Sequence, residues 1–417
     1  MKVLVLRSSF QDDDFVRNEY GELLNRLKND CQAEIQIIGD EQVERQNIAF
    51  LQQRPDAVMI ATGGVENLFK TLFTGNGPVT LIADGRNNSL AAALEILTWL
   101  EGQGIEGRIL HGTDDEIIAT FVETRHGTSL RNKTQLLNGT RIGLFGKPSD
   151  WLIASGVDRK FLLEQFGVET LDIDLQRLID GIKAVPQADA VNVAQDIVKR
   201  SATTVEPSSS DMVEAAKAYL AIKKICQEER HDALTIRCFD IVKACGTTSC
   251  LALALLNDEG IVAGCEGDMQ TLMSMLLVKR LCGAEAFMAN PSQLTDTTSM
   301  LAHCTIPLNM CDGITIRSHF ESGIGVAIQG VLPLTDYTIF KWGGPRLDRY
   351  FVAEAQAVEI PYSNHFCRTQ ITLNANLKPY LLQHSIGNHH VIIKGKHAER
   401  IREAMGELKI NNLEFRI

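Results

Sequence analysis

The sequence has no pair of cysteines spaced as CxxC and no zinc-finger spacing, which excludes the thioredoxin-type redox motif and the common structural zinc sites. Its ten cysteines stand apart from one another, and Cys226, Cys250 and Cys282 lie in apolar or helical contexts where a reduced thiol packs as a small core residue. That usage fits a reducing, cytoplasmic compartment. No long basic run offsets a net charge of −11 and a pI near 5.5, so neither nucleic acid nor an anionic membrane surface is expected as a partner. No apolar run reaches the length of a membrane span. The opening MKVLVLRSSF is too short in its apolar part for a signal peptide and reads as a first strand. After that strand stand Ser8 and Ser9 in place of the GxGxxG fingerprint, which argues against NAD or FAD.

What is present is the composition of an ordinary globular chain, 45% hydrophobic and 22% charged over 417 residues, long enough for two or three domains. Residues 1–138 alternate apolar runs (Lys2–Arg7, Glu34–Ile38, Ala57–Ala61, Val79–Ala83, Arg108–Leu110) with helical patterns such as Phe15–Leu27 and Ser89–Leu100. This predicts a doubly wound parallel sheet with helices on both faces. A long helix is expected over 115–137, before the turn signal Asn138-Gly139. The same α/β pattern restarts over 139–298, with strands at Arg141–Phe145, Glu169–Ile173, Ala233–Cys238, Ile261–Cys265 and Ala284–Met288, the last ending before Asn290-Pro291. Asp211 with Glu214 predicts a capping box opening a helix. From 299 to 417 the runs are short, β-branched and punctuated by Gly and Pro, as in Gly313–Arg317, Gly325–Gln329, Tyr337–Trp342 and Arg368–Leu373. They predict a third, antiparallel β-rich domain with a terminal helix (His397–Leu408) and a last strand at Leu413–Arg416.

The segment IVAGCEGDMQTLMSMLL, Ile261–Leu277, runs an apolar strand into two carboxylates and then a helix, the way α/β proteins present polar groups at a sheet's carboxyl edge. Glycines flanking Glu266 let a ligand approach the backbone closely. Asp268 reads either as a helix N-cap or as an acid of the site. Seven of the ten histidines fall at or after His303, and histidine is the commonest transition-metal ligand, so the clustering points to the C-terminal region. His319, within Ser318-His319-Phe320-Glu321-Ser322-Gly323, and His389 and His390, within Gly387-Asn388-His389-His390, stand at loop-to-strand junctions. One carboxylate and two imidazoles suit Mn²⁺, Fe²⁺, Co²⁺ or Zn²⁺ with positions left for substrate oxygens; the competing reading is that these histidines are core residues. Thr62-Gly63-Gly64 and Asp84–Asn88 read equally as ligand loops or plain turns. In Gly146–Trp151, Lys147, Ser149 and Trp151 can donate hydrogen bonds and stack on a sugar face.

The order of these segments resembles the L-fucose isomerase and L-arabinose isomerase superfamily, over most of the chain and most clearly from Arg237 to His397. LNDEGIVAGCEGDMQTLMSMLL is similar to the family's stretch bearing a metal-binding glutamate, which falls on Glu266. SHFESGIG is similar to a stretch with a metal-binding histidine, on His319, and GNHHVIIKGKH to that of the last one, best matched by His389 with His390 beside it. FMANP stands where L-fucose isomerases carry a catalytic, metal-binding aspartate, and here the residue is Asn290. The resemblance implies two α/β domains and a β-rich third, a cytoplasmic homotrimer or homohexamer, and Mn²⁺ (or Co²⁺, Fe²⁺, Zn²⁺) bound by Glu266, His319 and His389. It further implies aldose–ketose isomerisation of a sugar through a cis-enediol. Glu266 is the expected base, with its acidic partner to be sought at Asp268, Glu321 or Asp240, and Asn290 a neutral oxygen ligand or substrate contact. Ser149, Trp151, Arg237, Glu321, His390 and Arg368 are expected to orient substrate, and Lys147 or Arg237 to meet an anionic group, which admits acidic or sulfonated sugars. The departure at Asn290 leaves epimerisation, dehydration, retro-aldol cleavage and non-catalytic sugar binding as alternatives.

Overall fold

A computed structural model of the chain describes residues 2–39, 55–73, 79–105, 107–123, 137–408 and 410–413. Strands β1 (Lys2–Arg7), β2 (Glu34–Gly39), β3 (Ala57–Ile60), β4 (Val79–Ile82) and β5 (Gly107–Leu110) form a parallel sheet in the order β2-β1-β3-β4-β5. Every residue of β3 is buried, as a run of apolar residues covered by helices on both faces must be. The helical pattern near the start is two helices, Asp13–Glu19 and Gly21–Asn29, parted at Tyr20, whose hydroxyl donates to Ala61 O at 2.6 Å. The helix expected over 115–137 is observed as Asp114–Glu123, and its remaining residues, 124–136, lie outside the described ones.

A second parallel sheet follows: β6 (Arg141–Phe145) and β7 (Glu169–Ile173), then, after a two-residue strand β8 (Thr203–Thr204) that pairs elsewhere, β9 (Ala233–Ile236) and β10 (Val262–Cys265). Its order is β7-β6-β9-β10. Between these strands the helix Ser209–Glu229 opens with a capping box, but of Ser208 and Asp211. The box lies three residues ahead of the Asp211–Glu214 pair expected, because the Ser208 hydroxyl already satisfies the Asp211 N–H.

The remaining strands are β11 (Ala286–Leu294), β12 (Ser299–His303), β13 (Gly313–Arg317), β14 (Ala327–Val331), β15 (Asp336–Gly343), β16 (Arg349–Glu359), β17 (Thr369–Leu373), β18 (His390–Lys394) and β19 (Asn411–Asn412). Six of them run in the order β15-β18-β11-β12-β17-β16, every neighbour antiparallel, and β16 returns to β15 to close a barrel. Closure removes the free edges that an open β sheet would expose. β13, β14 and β8 make a separate small sheet, and β19 lies parallel on β16. Of the last strand expected, Leu413 docks its N–H on Tyr350 O at 2.8 Å, and residues 414–416 lie outside the described ones.

Two differences from the sequence reading matter for the site. The strand expected to stop at Met288 runs on to Leu294 through Asn290 and Pro291. The ladder to β12 shifts register between Pro291 and Gln293, and such a bulge is where a strand accommodates proline. Consequently the antiparallel unit begins at Ala286, and residue 298 falls in the turn between β11 and β12.

Candidate active site

β10 ends at the carboxyl edge of the second sheet, and the chain turns sharply there. Glu266 has φ +61° and Gly267 φ +82°. A left-handed conformation suits Gly267, where a Cβ would lie 2.4 Å from Pro148 Cα, but costs a glutamate about 1–3 kcal/mol and persists only where the surroundings impose it. They do so here through Ser149 N donating to Glu266 O (2.8 Å) and Gly267 N donating to Thr235 Oγ1 (3.1 Å). Trp151 Nε1 donates to Glu266 Oε2 at 2.6 Å, aiming the carboxylate, and its ring meets Phe239 edge-on at 4.8 Å. Asp268 caps the next helix, Met269–Cys282, accepting from Thr271 N at 2.8 Å.

Facing Glu266 are two imidazoles from the barrel. His303 Nε2 lies 4.0 Å, and His389 Nε2 3.9 Å, from Glu266 Oε1; the two rings sit 5.2 Å apart. The barrel register explains this meeting. β11 runs between β12 and β18, with Asn290 opposite Ala302 and Ala289 opposite His390, so His303 and His389 reach the same level on either side of Asn290.

Asp268 Oδ2 pairs with His389 Nδ1 at 2.9 Å, fixing the tautomer that leaves Nε2 with its lone pair toward Glu266. Behind Asp268 stand Thr271 Oγ1 (2.7 Å) and the wholly buried Lys341, whose Nζ is 3.7 Å from Asp268 Oδ2 and donates to Thr271 Oγ1 at 2.6 Å. Burial alone would raise the Asp268 carboxyl, but Lys341 and the His389 hydrogen bond hold it well below the usual carboxylate range. Glu95, reaching in from the helix Ser89–Gly102, accepts from Ala154 N, Ser155 N and Ser155 Oγ; burial lifts it to about 7.

His303, His319 and His390 are held neutral. Burial, then the neighbouring His389 and His319, depresses His303 well below its ordinary value. Burial with Arg368 brings His319 to about 4, and burial with Lys341 brings His390 to about 3. A neutral imidazole is the form that binds a metal. Ligand atoms on one such ion, each about 2.0–2.2 Å from it, lie roughly 3–4 Å apart, and the distances from Glu266 Oε1 match. His389 Nε2 is buried and has no hydrogen-bond partner among the described residues, as is true of Asn290 Oδ1 and Ser149 Oγ. A cation beside Glu266 would give the histidine nitrogen its missing partner. The residues present therefore fit a divalent ion.

His319 is near but differently engaged. Its Nδ1 pairs with Ser322 Oγ at 3.0 Å and its ring meets Phe239 at 5.5 Å. Among the described residues the imidazoles within 4.0 Å of Glu266 are His303 and His389. Glu321, on the same loop and exposed, accepts from Asn88 of the first sheet's carboxyl edge, and the neighbouring Glu266 and Cys304 charges raise its carboxyl above the ordinary range. Arg237 is taken up by Asp150, Asp240 and Pro148 O. Arg368 donates to Ser318 O (2.7 Å) and Oγ (3.0 Å), and His390 is tied to Tyr380 Oη (2.8 Å) and Asn388 O (3.0 Å). Besides Glu95 and Lys341, His303 and Glu66 escaped the sequence reading. His303 ends an unread strand, and its one signal is a lone histidine closing the apolar run SMLAH. Glu66, whose Oε2 is buried and unpartnered, is raised well above its ordinary range, chiefly by burial and further by Glu95 and Glu266.

No family model matches the chain. It is similar to a sulfoquinovose isomerase of Alkalicoccus urumqiensis, 23% identical over 308 residues that cover 70% of this chain and 69% of that protein. It is also similar to a sulfoquinovose isomerase of Priestia aryabhattai, 24% identical over 293 residues, 67% of this chain and 65% of that one. A XylFII–LytSN complex is matched at 9% identity, over 68% of this chain and 92% of that chain, with a TM-score of 0.18, too low to bear on the fold. The likeness to the isomerases supports an enzyme of the isomerase class, an intramolecular oxidoreductase acting on sugars.

Proposed function

We propose that the protein is a divalent-metal-dependent aldose–ketose isomerase acting on a monosaccharide or sugar derivative through a cis-enediol. The observation that carries this reading is the pair of imidazole nitrogens 3.9 and 4.0 Å from one carboxylate oxygen, one of them buried without a partner among the described residues. Glu266, His303 and His389 would hold Mn²⁺ or a similar ion, which supplies Lewis-acid polarisation of the two substrate oxygens. His303 takes the place that the family resemblance gave to His319.

The proton is moved by this chain's own carboxyl groups. Glu266 turns Oε1 toward the imidazoles and keeps Oε2, steadied by Trp151, as the base that takes the proton from C2 and returns it at C1. Glu321 is the acidic partner. Beside the Glu266 charge, which raises its carboxyl above the ordinary range, it can lend a proton to a sugar oxygen. Asp268 is already committed to the helix cap and to His389. Asn290 Oδ1 and Ser149 Oγ are left to accept or share substrate hydroxyls.

The relatives' names make a sulfonated hexose one substrate to try, and the family resemblance a cytoplasmic homotrimer or homohexamer the expected assembly. The test is to incubate the Mn²⁺-loaded protein with a panel of aldoses, sulfoquinovose included, in deuterated water and follow products by NMR. Ketose formation with exchange at C2, lost in Glu266→Gln, supports the reading; products of cleavage or dehydration, or binding without turnover, would sink it.

A further inference from the structure

The residue just before Glu266 carries a chemistry that isomerisation does not require. Cys265 Sγ, a carboxylate oxygen of Glu266 and a ring nitrogen of His303 all lie within 4.8 Å of one another. Cys265 is 3% exposed, and its surroundings are unusually rich in sulfur: Cys238 Sγ is 3.4 Å from its Sγ, and its own N–H points at Met288 Sδ, 3.4 Å away. A second, independent feature marks the same spot as short of a cation, namely the partnerless Nε2 of the fully buried His389 on the other side of Glu266.

Resting on the metal reading above, we propose that the centre has a second, sulfur-ligated mode: thiophilic ions such as Zn²⁺ or Cd²⁺ are captured by Cys265 together with Glu266 and His303. Harder ions such as Mn²⁺ are held by Glu266, His303 and His389. Soft and borderline ions favour thiolate, whereas Mn²⁺ prefers oxygen and imidazole, so one carboxylate–imidazole pair serves two ion classes according to which flank is recruited. On capture the Cys265 S–H bond breaks, a sulfur–metal bond forms, and the proton leaves to solvent; no electron changes hands. Without a thiophilic ion, Cys265 donates its S–H to Cys238 Sγ and packs as a quiet core residue. Once the sulfur is a thiolate, Cys238 can turn its own S–H toward it. The two modes share Glu266 and therefore exclude each other, which makes Zn²⁺ and Cd²⁺ competitors of the working ion.

The experiment titrates the full-length protein with Cd²⁺, reading thiolate-to-metal charge-transfer absorption in the ultraviolet. In parallel, electron paramagnetic resonance of free Mn²⁺ reports displacement. The expected result is a band that saturates at one equivalent while Mn²⁺ is released. In Cys265→Ser and Cys265→Ala the band should vanish and Cd²⁺ should lose about tenfold or more in affinity, with Mn²⁺ affinity little changed. Two variants guard against one of them folding poorly, which circular dichroism would reveal. If Mn²⁺ binds but Cd²⁺ gives no band, or gives one unchanged by both substitutions, the sulfur mode is wrong and the isomerase centre stands. If neither ion binds, the metal reading itself fails and takes this one with it.

Discussion

The two parallel sheets are wound alike, each reversing strand order beside its first strand, and both direct loops from their carboxyl edges toward the barrel. At the edge of the first sheet most polar groups are answered, with Glu66 Oε2 the exception among the described residues. Asp84 binds Arg86 and Ser89, Arg86 reaches Glu19 and lies over the Tyr20 ring at 4.6 Å, and Asn87 donates to Tyr20 Oη. His111 is satisfied by Ala83 O on one nitrogen and Leu294 N on the other. The edge of the second sheet, against His303 and His389, leaves Ser149 Oγ, Asn290 Oδ1 and His389 Nε2 without partners and holds Glu266 in a left-handed turn. Buried polar atoms cost roughly 1–3 kcal/mol each when unmatched, so a fold that keeps three together is keeping room for something that matches them. The same architecture thus yields a brace in one place and a candidate active site in the other.

Substitutions at the two edges should separate sharply. Glu266→Gln keeps the shape but removes the base, and turnover should fall by about 10²–10⁴-fold while circular dichroism is unchanged. A variant that isomerises at the wild-type rate would end the comparison. One step out, Asp268→Asn leaves His389 free to adopt the other tautomer. Affinity for Mn²⁺, measured by calorimetry, should drop by about 10–100-fold. At the first edge, Arg86→Ala removes the ion pairs to Glu19 and the nearly buried Asp84 and the contact over the Tyr20 ring, and should lower stability by about 1–3 kcal/mol with activity nearly intact.

Between these extremes lies a pH effect. Glu95, wholly buried, is raised to about 7 in the folded chain, against about 4.3 when unfolded. Between those values the folded state binds more protons than the unfolded one. The contribution of Glu95 to stability therefore falls as pH rises from about 4.5 toward 7, opposite in sign to that of the depressed His303, His319 and His390, which rises with pH up to about 6.5. Glu95→Gln should remove that falling contribution from melting curves taken from pH 5 to 8, and a slope unchanged by the substitution would refute the assignment.

Much of the frame was legible in the sequence. Arg141–Phe145 and Glu169–Ile173 emerge at the expected limits, the first because a buried parallel strand reads as a nearly continuous apolar run. Glu266 stood out for its flanking glycine and its place at a strand end, and Asp268 as a helix cap is observed. The barrel hairpin was not legible, because Pro291 marks a strand end unless a bulge absorbs it, and a bulge is a tertiary feature. With β12 unread, His303 had no strand to stand on. His319 illustrates the converse: its loop was recognised, but no local pattern shows that its ring meets Ser322 and Phe239 while another histidine faces Glu266. Convergence of residues 266, 303 and 389 depends on barrel register, which a single sequence does not print.

The backbone at Glu266 carries one more consequence. An L-residue there sits where glycine would be at ease, so Glu266→Gly is a substitution from which the isolated turn stands to gain. A directed-evolution campaign selecting for heat resistance alone would be drawn toward that change, and would harvest a sturdier but inert protein; the position is one where durability and turnover pull a library in opposite directions.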